Sequence, residues 1–271
     1  MKVKLSNYVA QFLVDHGIDT VFTVTGGGAM HLNDGFGKQK GLHCVYQHHE
    51  QACAIAGEAY ARIHNKIGAV CVTTGPGGTN AITGVVGGWL DSIPMLVISG
   101  QVRYDTTARS TGLGIRAMGD QEFDICKAVE SMTKYCEMVI DPLKIRYCLE
   151  KALFLALNGR QGPCWLDIPV NIQGSYIDTD ELVGFDLKKE FKENGRRWQE
   201  EAVPAKPSEE TIEAILEKVK AAKRPVINAG NGIRIGAAHD VFMRVVEKLG
   251  IPVVTGADSI DCIYDEHPLY I

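Results

Sequence analysis

The stretch "GAVCVTTGPGGTNAITGVVGGWLDSIPMLVISG" (residues 68–100) decides the fold. Residues 68–74 form an apolar run of strand length, and "PMLVISG" (94–100) forms a second. Between them lie a glycine-rich loop, "GPGGTN" (75–80), and a helical pattern over about 79–90. Strands written as unbroken apolar runs are buried on both faces, and their alternation with helices makes the sheet mostly parallel.

The same alternation extends in both directions. Upstream, residues 5–16 read as an amphipathic helix stopped by Gly17, and "TVFTV" (20–24) as a strand. A glycine turn (25–28) and a short helix follow, then the strand "LHCVY" (42–46) and a helix over about 49–64. Downstream, residues 101–120 are polar and glycine-bearing, which predicts a long functional loop. A helix (about 121–131), the strand "YCEMV" (135–139), a helix (144–158) and the strand "PCWLDIP" (163–169) complete the series. The expected class is α/β, a doubly wound, mostly parallel sheet with helices on both faces, in a first domain spanning 1–174.

Residues 175–207 change character: rich in Lys, Glu, Asp and Arg, they read as a surface linker. A second α/β unit occupies 208–271, with a helix (208–222), "PVINAG" as a strand, a helix (237–249) and "PVVTG" as a strand. Two strands and two helices bury little surface, so this unit reads as the truncated beginning of a larger domain.

Composition narrows the function classes. The 271 residues are 45% hydrophobic and 23% charged, as in a soluble globular protein, and the formal net charge is −5. No basic stripe with interleaved aromatics appears, so no nucleic-acid partner is expected. The longest apolar runs are strand-length, far short of a membrane span. The first seventeen residues have helical spacing without a small-residue cleavage site, which argues against a signal peptide. Eight cysteines are scattered without a C-x-x-C pair, mostly in apolar segments. They read as buried reduced thiols in a cytoplasmic protein, with no ligand spacing for zinc.

Ligands of open parallel sheets bind beyond the carboxyl ends of the strands, where strand order reverses. Three segments fall on that edge: "TGGGAM" (25–30), "HHEQ" (48–51) and "TTGPGGTN" (73–80). "GPGGTN" is not a Walker loop, since no Lys-Ser/Thr follows, and "TGGGAM" lacks the third glycine of a dinucleotide turn. "GNGIRIG" (230–236) is closer to such a turn, with Asp258 as a loose acidic candidate. Glu50 has two readings. It is either a first-turn glutamate favoured by the helix dipole, or a carboxyl group on the ligand edge that exchanges a proton with a heterocyclic nitrogen.

The segments "VF" (21–22), "HEQACAIAGEAYAR" (49–62) and "TTGPGGTNAITGVVGGWLDSIPMLVISGQV" (73–102) together resemble the N-terminal domain of thiamine-diphosphate enzymes, specifically the acetolactate synthase-like group. "GRQGPCWLDIPVNIQ" (159–173) resembles the end of that domain, and "RPVINAGNGI" (224–233) the opening of the family's central domain. The resemblance covers almost the whole chain, with several motifs in order.

It implies a pyrimidine-binding domain whose Glu50 hydrogen-bonds the cofactor's aminopyrimidine ring and activates it. A carboxyl that holds a proton at neutral pH needs a desolvated site, which a solvated helix end does not supply. Thr74, Gly75, Pro76 and Gly77 match the loop beside the pyrimidine. Asn80 follows at the family position, with a helix N-cap as its bland alternative. Thr25, Gly26 and Gly27 match the loop lining the same pocket, with Thr25 replacing the usual proline. His49 stands where a substrate-facing histidine is expected, or is a structural residue at a helix start. Gln121, followed by Glu122, and Lys134 match residues near the substrate cavity; Asp120 replaces an aromatic that lines the pocket for small 2-oxo acids.

The family's metal motif, "GDG…N", does not occur in the chain. The resemblance therefore implies thiamine diphosphate with Mg2+, the metal and diphosphate being held outside this chain by the C-terminal domain of a partner subunit. A homodimer or homotetramer is expected, and a flavin (FAD) stays open. The implied activity is decarboxylation and carboligation of a small 2-oxo acid, that of a lyase or transferase when complete. Three alternatives remain: a split-gene pyrimidine-binding subunit of a decarboxylase, a nucleotide-binding module built on 230–236, and a non-catalytic interaction subunit.

Overall fold

The structure is a computed structural model that describes residues 1–193 and 205–271. The chain divides into two compact units, Met1–Val203 and Pro204–Ile271. Residues 194–204 of the expected linker lie outside the described residues.

The first unit is built on six parallel strands in the order 43–46, 20–23, 68–72, 95–101, 163–169, 135–138. In chain order the strands of this unit are β1 (Lys2–Lys4), β2 (Thr20–Thr23), β3 (His43–Tyr46), β4 (Gly68–Val72), β5 (Met95–Gln101), β6 (Tyr135–Met138), β7 (Pro163–Pro169) and β8 (Tyr176–Asp178). The doubly wound α/β expectation is met. β4, β5 and β7 are buried along their whole length, as their apolar runs predict.

Helices cover both faces. On one face α1 (Leu5–Asp15), α2 (Met30–Lys38) and α7 (Ile145–Leu157) bring Leu5, Val9, Phe36 and Leu149 onto Ala69, Cys71, Leu96, Ile98 and Leu166. On the other, α3 (Glu50–His64) packs on β4 and on α4 (Pro76–Leu90). Because strand side chains alternate, Val70, Val97 and Trp165 turn to that second face.

The chain leaves β2 for the sheet edge at β3, then crosses back to β4 on the other side of β2. Strand order reverses there, so the carboxyl ends of β2 and β4 flank a crevice. The loops 24–26, 47–49 and 73–75 all open onto it.

Several boundaries differ from the sequence reading. The helix expected from about 79 begins at Pro76, inside the expected loop: Pro76 sits at its first position, where a missing N–H costs nothing. The loop 101–120 carries a 3-10 turn (Tyr104–Thr106) and a short helix, α5 (Ala108–Thr111). The helix expected over 121–131 starts only at Ile125, as α6 (Ile125–Val129), because Gln121 stands in the left-handed region at φ 58°. A short helix, α8 (Val170–Gln173), follows β7. β8 falls in the stretch assigned by composition to the linker, yet pairs antiparallel with β1, Val3 opposite Ile177.

The second unit contains α9 (Glu209–Ala221), β9 (Ile227–Ala229), α10 (Gly232–Ile235), α11 (His239–Leu249) and β10 (Val253–Thr255). β9 and β10 pair in parallel over a small core of Ala229, Val246, Val253, Cys262 and Ile263. No residue of α9 is buried.

Candidate functional site

The loops at the switch point are tied to one another by backbone and side-chain contacts. The Gly28 N–H donates to Thr73 Oγ1 at 3.1 Å, joining the turn after β2 to the turn after β4. Thr25 and Gly27 are exposed at the crevice and Gly26 is half-buried. Thr74 is buried, and its hydroxyl donates to the Gln101 side-chain oxygen at the end of β5.

Glu50 is the first residue of α3 and is half-buried. The helix N-cap is His49, whose Nδ1 accepts the Gln51 N–H at 3.1 Å. With the cap supplied by its neighbour, the Glu50 carboxyl is free to turn away from its own helix. It reaches α4, where Asn80 Nδ2 donates to Oε2 at 3.0 Å. Asn80 is the fifth residue of α4 and Gly75 holds the cap position, so the N-cap reading of Asn80 gives way to a contact with Glu50.

The other carboxyl oxygen faces backbone. A Cβ built at Gly77 would lie 3.7 Å from Glu50 Oε1 and 2.7 Å from Thr73 Cγ2. Among the described residues Oε1 has no hydrogen-bond partner, and it looks along a glycine-lined wall beside a helix N-terminus. A flat nitrogen heterocycle fits that cradle: one oxygen is anchored, the other is available to the ring, and Gly77 adds no side chain of its own. The carboxylate also sits where the dipole of α3 favours negative charge. One turn into that helix, burial and the Glu50 charge push the Cys53 thiol up to about 12.

Gly75 adopts φ 55°, and a Cβ there would stand 2.1 Å from the Gln121 carbonyl oxygen. The left-handed Gly75 and the left-handed Gln121 therefore lie in contact, pinning loop 119–123 on the site loop. The side chain of Gln121 is exposed at this rim. Its neighbour Glu122 braces the loop instead. The Glu122 carboxylate accepts from the backbone N–H groups of Ala108, Met118 and Gly119, at 2.6, 2.7 and 3.2 Å, and fastens the segment before it.

Lys134 is not brought to this crevice. It precedes β6, at the amino-terminal edge of a parallel sheet, whereas Glu50 lies beyond the carboxyl ends. Its Nζ donates to the Asn158 carbonyl at 2.5 Å, and burial lowers its pKa. His49 is exposed and its ring is engaged as a helix cap.

Two side chains that the sequence reading passed over lie directly behind the site. Gln101 and Asp167 are buried to 1% and 0% exposure and hydrogen-bonded to each other at 3.1 Å. The available signal was a polar residue inside otherwise apolar strands, "LVISGQ" and "CWLDIP".

All eight cysteines are free thiols, and burial pushes Cys71 and Cys164 up to about 12. Among the described residues no cluster of three His, Cys, Asp or Glu is arranged to hold a metal, and no helix is long and apolar enough to cross a membrane.

Residues 3–128 match the family model described as thiamine pyrophosphate enzyme, N-terminal TPP binding domain, and residues 212–271 match that of the thiamine pyrophosphate enzyme central domain. The second match includes the glycine turn 230–236. The chain is 32% identical over 266 residues to the acetolactate synthase large subunit of Lactococcus lactis, covering 98% of this chain and 43% of that protein. It is 31% identical to the chloroplastic acetolactate synthase of Arabidopsis thaliana, covering 96% of this chain and 36% of the relative. It is also 31% identical to the isozyme 3 large subunit of Escherichia coli, covering 91% and 40%. The chain thus spans about two fifths of the length of these curated relatives.

Proposed function

This chain belongs to the thiamine pyrophosphate enzymes, and on that premise we propose that it is the N-terminal part of an acetolactate synthase-type enzyme that decarboxylates and ligates a small 2-oxo acid. When bound, thiamine diphosphate supplies a carbon nucleophile for the keto carbon of the substrate.

The first unit holds the cofactor's pyrimidine at the crevice between β2 and β4. Glu50 Oε1 exchanges a proton with the ring nitrogen, while Asn80 holds Oε2 and fixes the plane of the carboxyl group. The backbone of Thr74–Gly77, with the turn at Thr25–Gly27, lines the ring. Gln121 stands at the substrate side of the same rim. The observation that carries this reading is the Glu50–Asn80 pair set beside the side-chain-free Gly77 at a topological switch point.

Mg2+ and the diphosphate are assigned to the C-terminal domain of a partner subunit in a homodimer or homotetramer, and FAD stays open. The location that fits this chemistry and the reduced cysteines is the cytoplasm.

The test is Glu50→Gln in the full-length protein. The expected result is a fall in kcat of about 10²–10⁴-fold, the usual share of general acid–base catalysis, with cofactor affinity little changed. Full activity at saturating cofactor overturns the assignment.

A further inference from the structure

Behind the site loop runs a chain of buried polar groups that the proposed chemistry does not use. Gln101 ends β5 and Asp167 lies in β7, side by side in the sheet. The Gln101 Nε2 donates to Asp167 Oδ2 at 3.1 Å and to the Phe123 carbonyl at 2.9 Å. Its Oε1 accepts from Thr74 Oγ1 and from the Val102 N–H at 3.0 Å. One amide therefore grips both loops that meet over the crevice: 73–77 through Thr74 and 119–123 through Phe123.

The ends of this network fix the direction of the hydrogen bonds that meet at Gln101. Trp165 Nε1 can only donate, and it gives its proton to Ser99 Oγ at 2.8 Å. Ser99 in turn donates to Asp167 Oδ1 at 2.6 Å. At the other end the Val102 N–H can only donate, so the Gln101 oxygen must face it. The Gln101 NH2 then faces Asp167, whose two oxygens both accept. Flipping the amide would set NH2 against N–H, and oxygen against a carbonyl and a carboxylate. The carboxylate form of Asp167 accepts at both oxygens with every partner in place.

We infer that Gln101 and Asp167 are positioning residues for the cofactor loop: the buried carboxylate anchors the Gln101 amide, and the amide holds Thr74 and the 119–123 loop in register beneath the pyrimidine. The inference rests on the reading of Thr74–Gly77 as the cofactor's neighbours.

The network has a built-in pH dependence. Burial pushes the Asp167 carboxyl up to about 7, with the nearby Asp124 raising it further and the Ser99 and Gln101 hydrogen bonds and the Arg109 charge opposing. The hydrogen bond to Cys136 and burial hold the Cys126 thiol on α6 protonated, and the charge of Asp167 adds to them. Protonating Asp167 turns one acceptor into a donor, so the carboxyl no longer accepts from both Ser99 and the Gln101 amide.

The experiment measures thiamine diphosphate affinity, by equilibrium binding with Mg2+ present, for the full-length wild type, Asp167→Asn and Gln101→Met between pH 8 and pH 6. Wild-type affinity is expected to weaken by about tenfold over that range, the effect of one proton with a pKa near 7. Asp167→Asn carries no charge at either pH, as the protonated acid does, so it should bind at pH 8 about as weakly as wild type at pH 6 and lose most of the pH dependence. Gln101→Met fills a similar volume without the amide and should bind at least about tenfold more weakly at pH 8, the equivalent of one to two lost hydrogen bonds. A purely structural network lowers the melting temperature of Gln101→Met but leaves the Asp167→Asn profile parallel to the wild type, and that result overturns the inference. Wild-type protein that binds no thiamine diphosphate at any pH overturns the proposed function itself, and this inference with it.

Discussion

The side-chain amide of Asn80, on helix 76–90, donates to Glu50 Oε2 at 3.0 Å, bridging to the first residue of helix 50–64. That contact turns a helix-end glutamate into an oriented one. A carboxyl that only stabilised its own helix would point back at the free N–H groups, a place His49 has taken.

Asn80→Ala should therefore act on rate rather than on folding. Asn80 is exposed, so its truncation removes about 1 kcal/mol or less of stability. Loss of the clamp lets the Glu50 carboxyl rotate, and kcat of the full-length protein should fall about tenfold, the equivalent of ~1.4 kcal/mol. Steady-state kinetics at saturating cofactor, paired with a thermal melt, separates the two effects. A melting temperature that drops while kcat holds would show that Asn80 is only a packing residue.

Gly75→Ala probes the second contact at the site. The residue adopts φ 55°, which alone costs a non-glycine residue about 1–3 kcal/mol. The new Cβ also lands 2.1 Å from the Gln121 carbonyl, a backbone atom that cannot swing aside. The expected outcome is a lowered melting temperature together with faster proteolytic cleavage in the 112–123 segment, as that loop is pushed off the site. Unchanged cleavage would mean that the two loops are not coupled through this contact.

What is legible in the sequence follows from the range of the forces involved. The strands 68–72, 95–101 and 163–169 announce themselves as apolar runs because both of their faces are buried, a property each residue carries alone. The start of helix 76–90 escapes such a reading because "GPGG" has the composition of a loop, while Pro76 at a first helical turn is favourable. The pairing of Lys2–Lys4 with Tyr176–Asp178 joins segments far apart in the chain, with no local pattern to report it. Motif alone singles out Glu50 and Asn80, but that they touch each other follows only from the packing of two helices. Gln101 and Asp167 are visible as polar breaks in apolar strands, yet their pairing depends on strand order, which puts β5 beside β7.

Asp167 also makes a stability prediction that is separate from binding. Its folded pKa of about 7 stands above the ordinary aspartate value of 3.8, so between these values the folded protein holds a proton that the unfolded chain lacks. Its contribution to stability is therefore fully present below the unfolded pKa and is lost as pH rises towards 7, with a slope of up to ~1.4 kcal/mol per pH unit. Other carboxylates, such as Asp19, have lowered pKa values and pull the other way. The difference between wild type and Asp167→Asn isolates the group. Urea unfolding should show the variant gaining on the wild type as pH rises from 5 to 7 and the gap levelling off above pH 7. A gap that stays constant across that range would mean that Asp167 is ionised throughout it.

Lys134 provides the sharpest separation between family position and geometry. Sequence resemblance puts it near the substrate, but it precedes β6 and so lies at the amino-terminal edge of the sheet, with its ammonium on the Asn158 carbonyl. Burial lowers its pKa, as expected for a cation held against backbone. Lys134→Met keeps the length and apolar stem of the side chain while removing the charge. If the residue serves only that edge of the sheet, KM for the 2-oxo acid and kcat should both stay within about twofold of wild type, the range of a change that leaves ground-state and transition-state binding alone. A KM raised about tenfold or more, with kcat unchanged, would instead mean that the assembled enzyme brings a substrate path to the amino-terminal edge of this sheet.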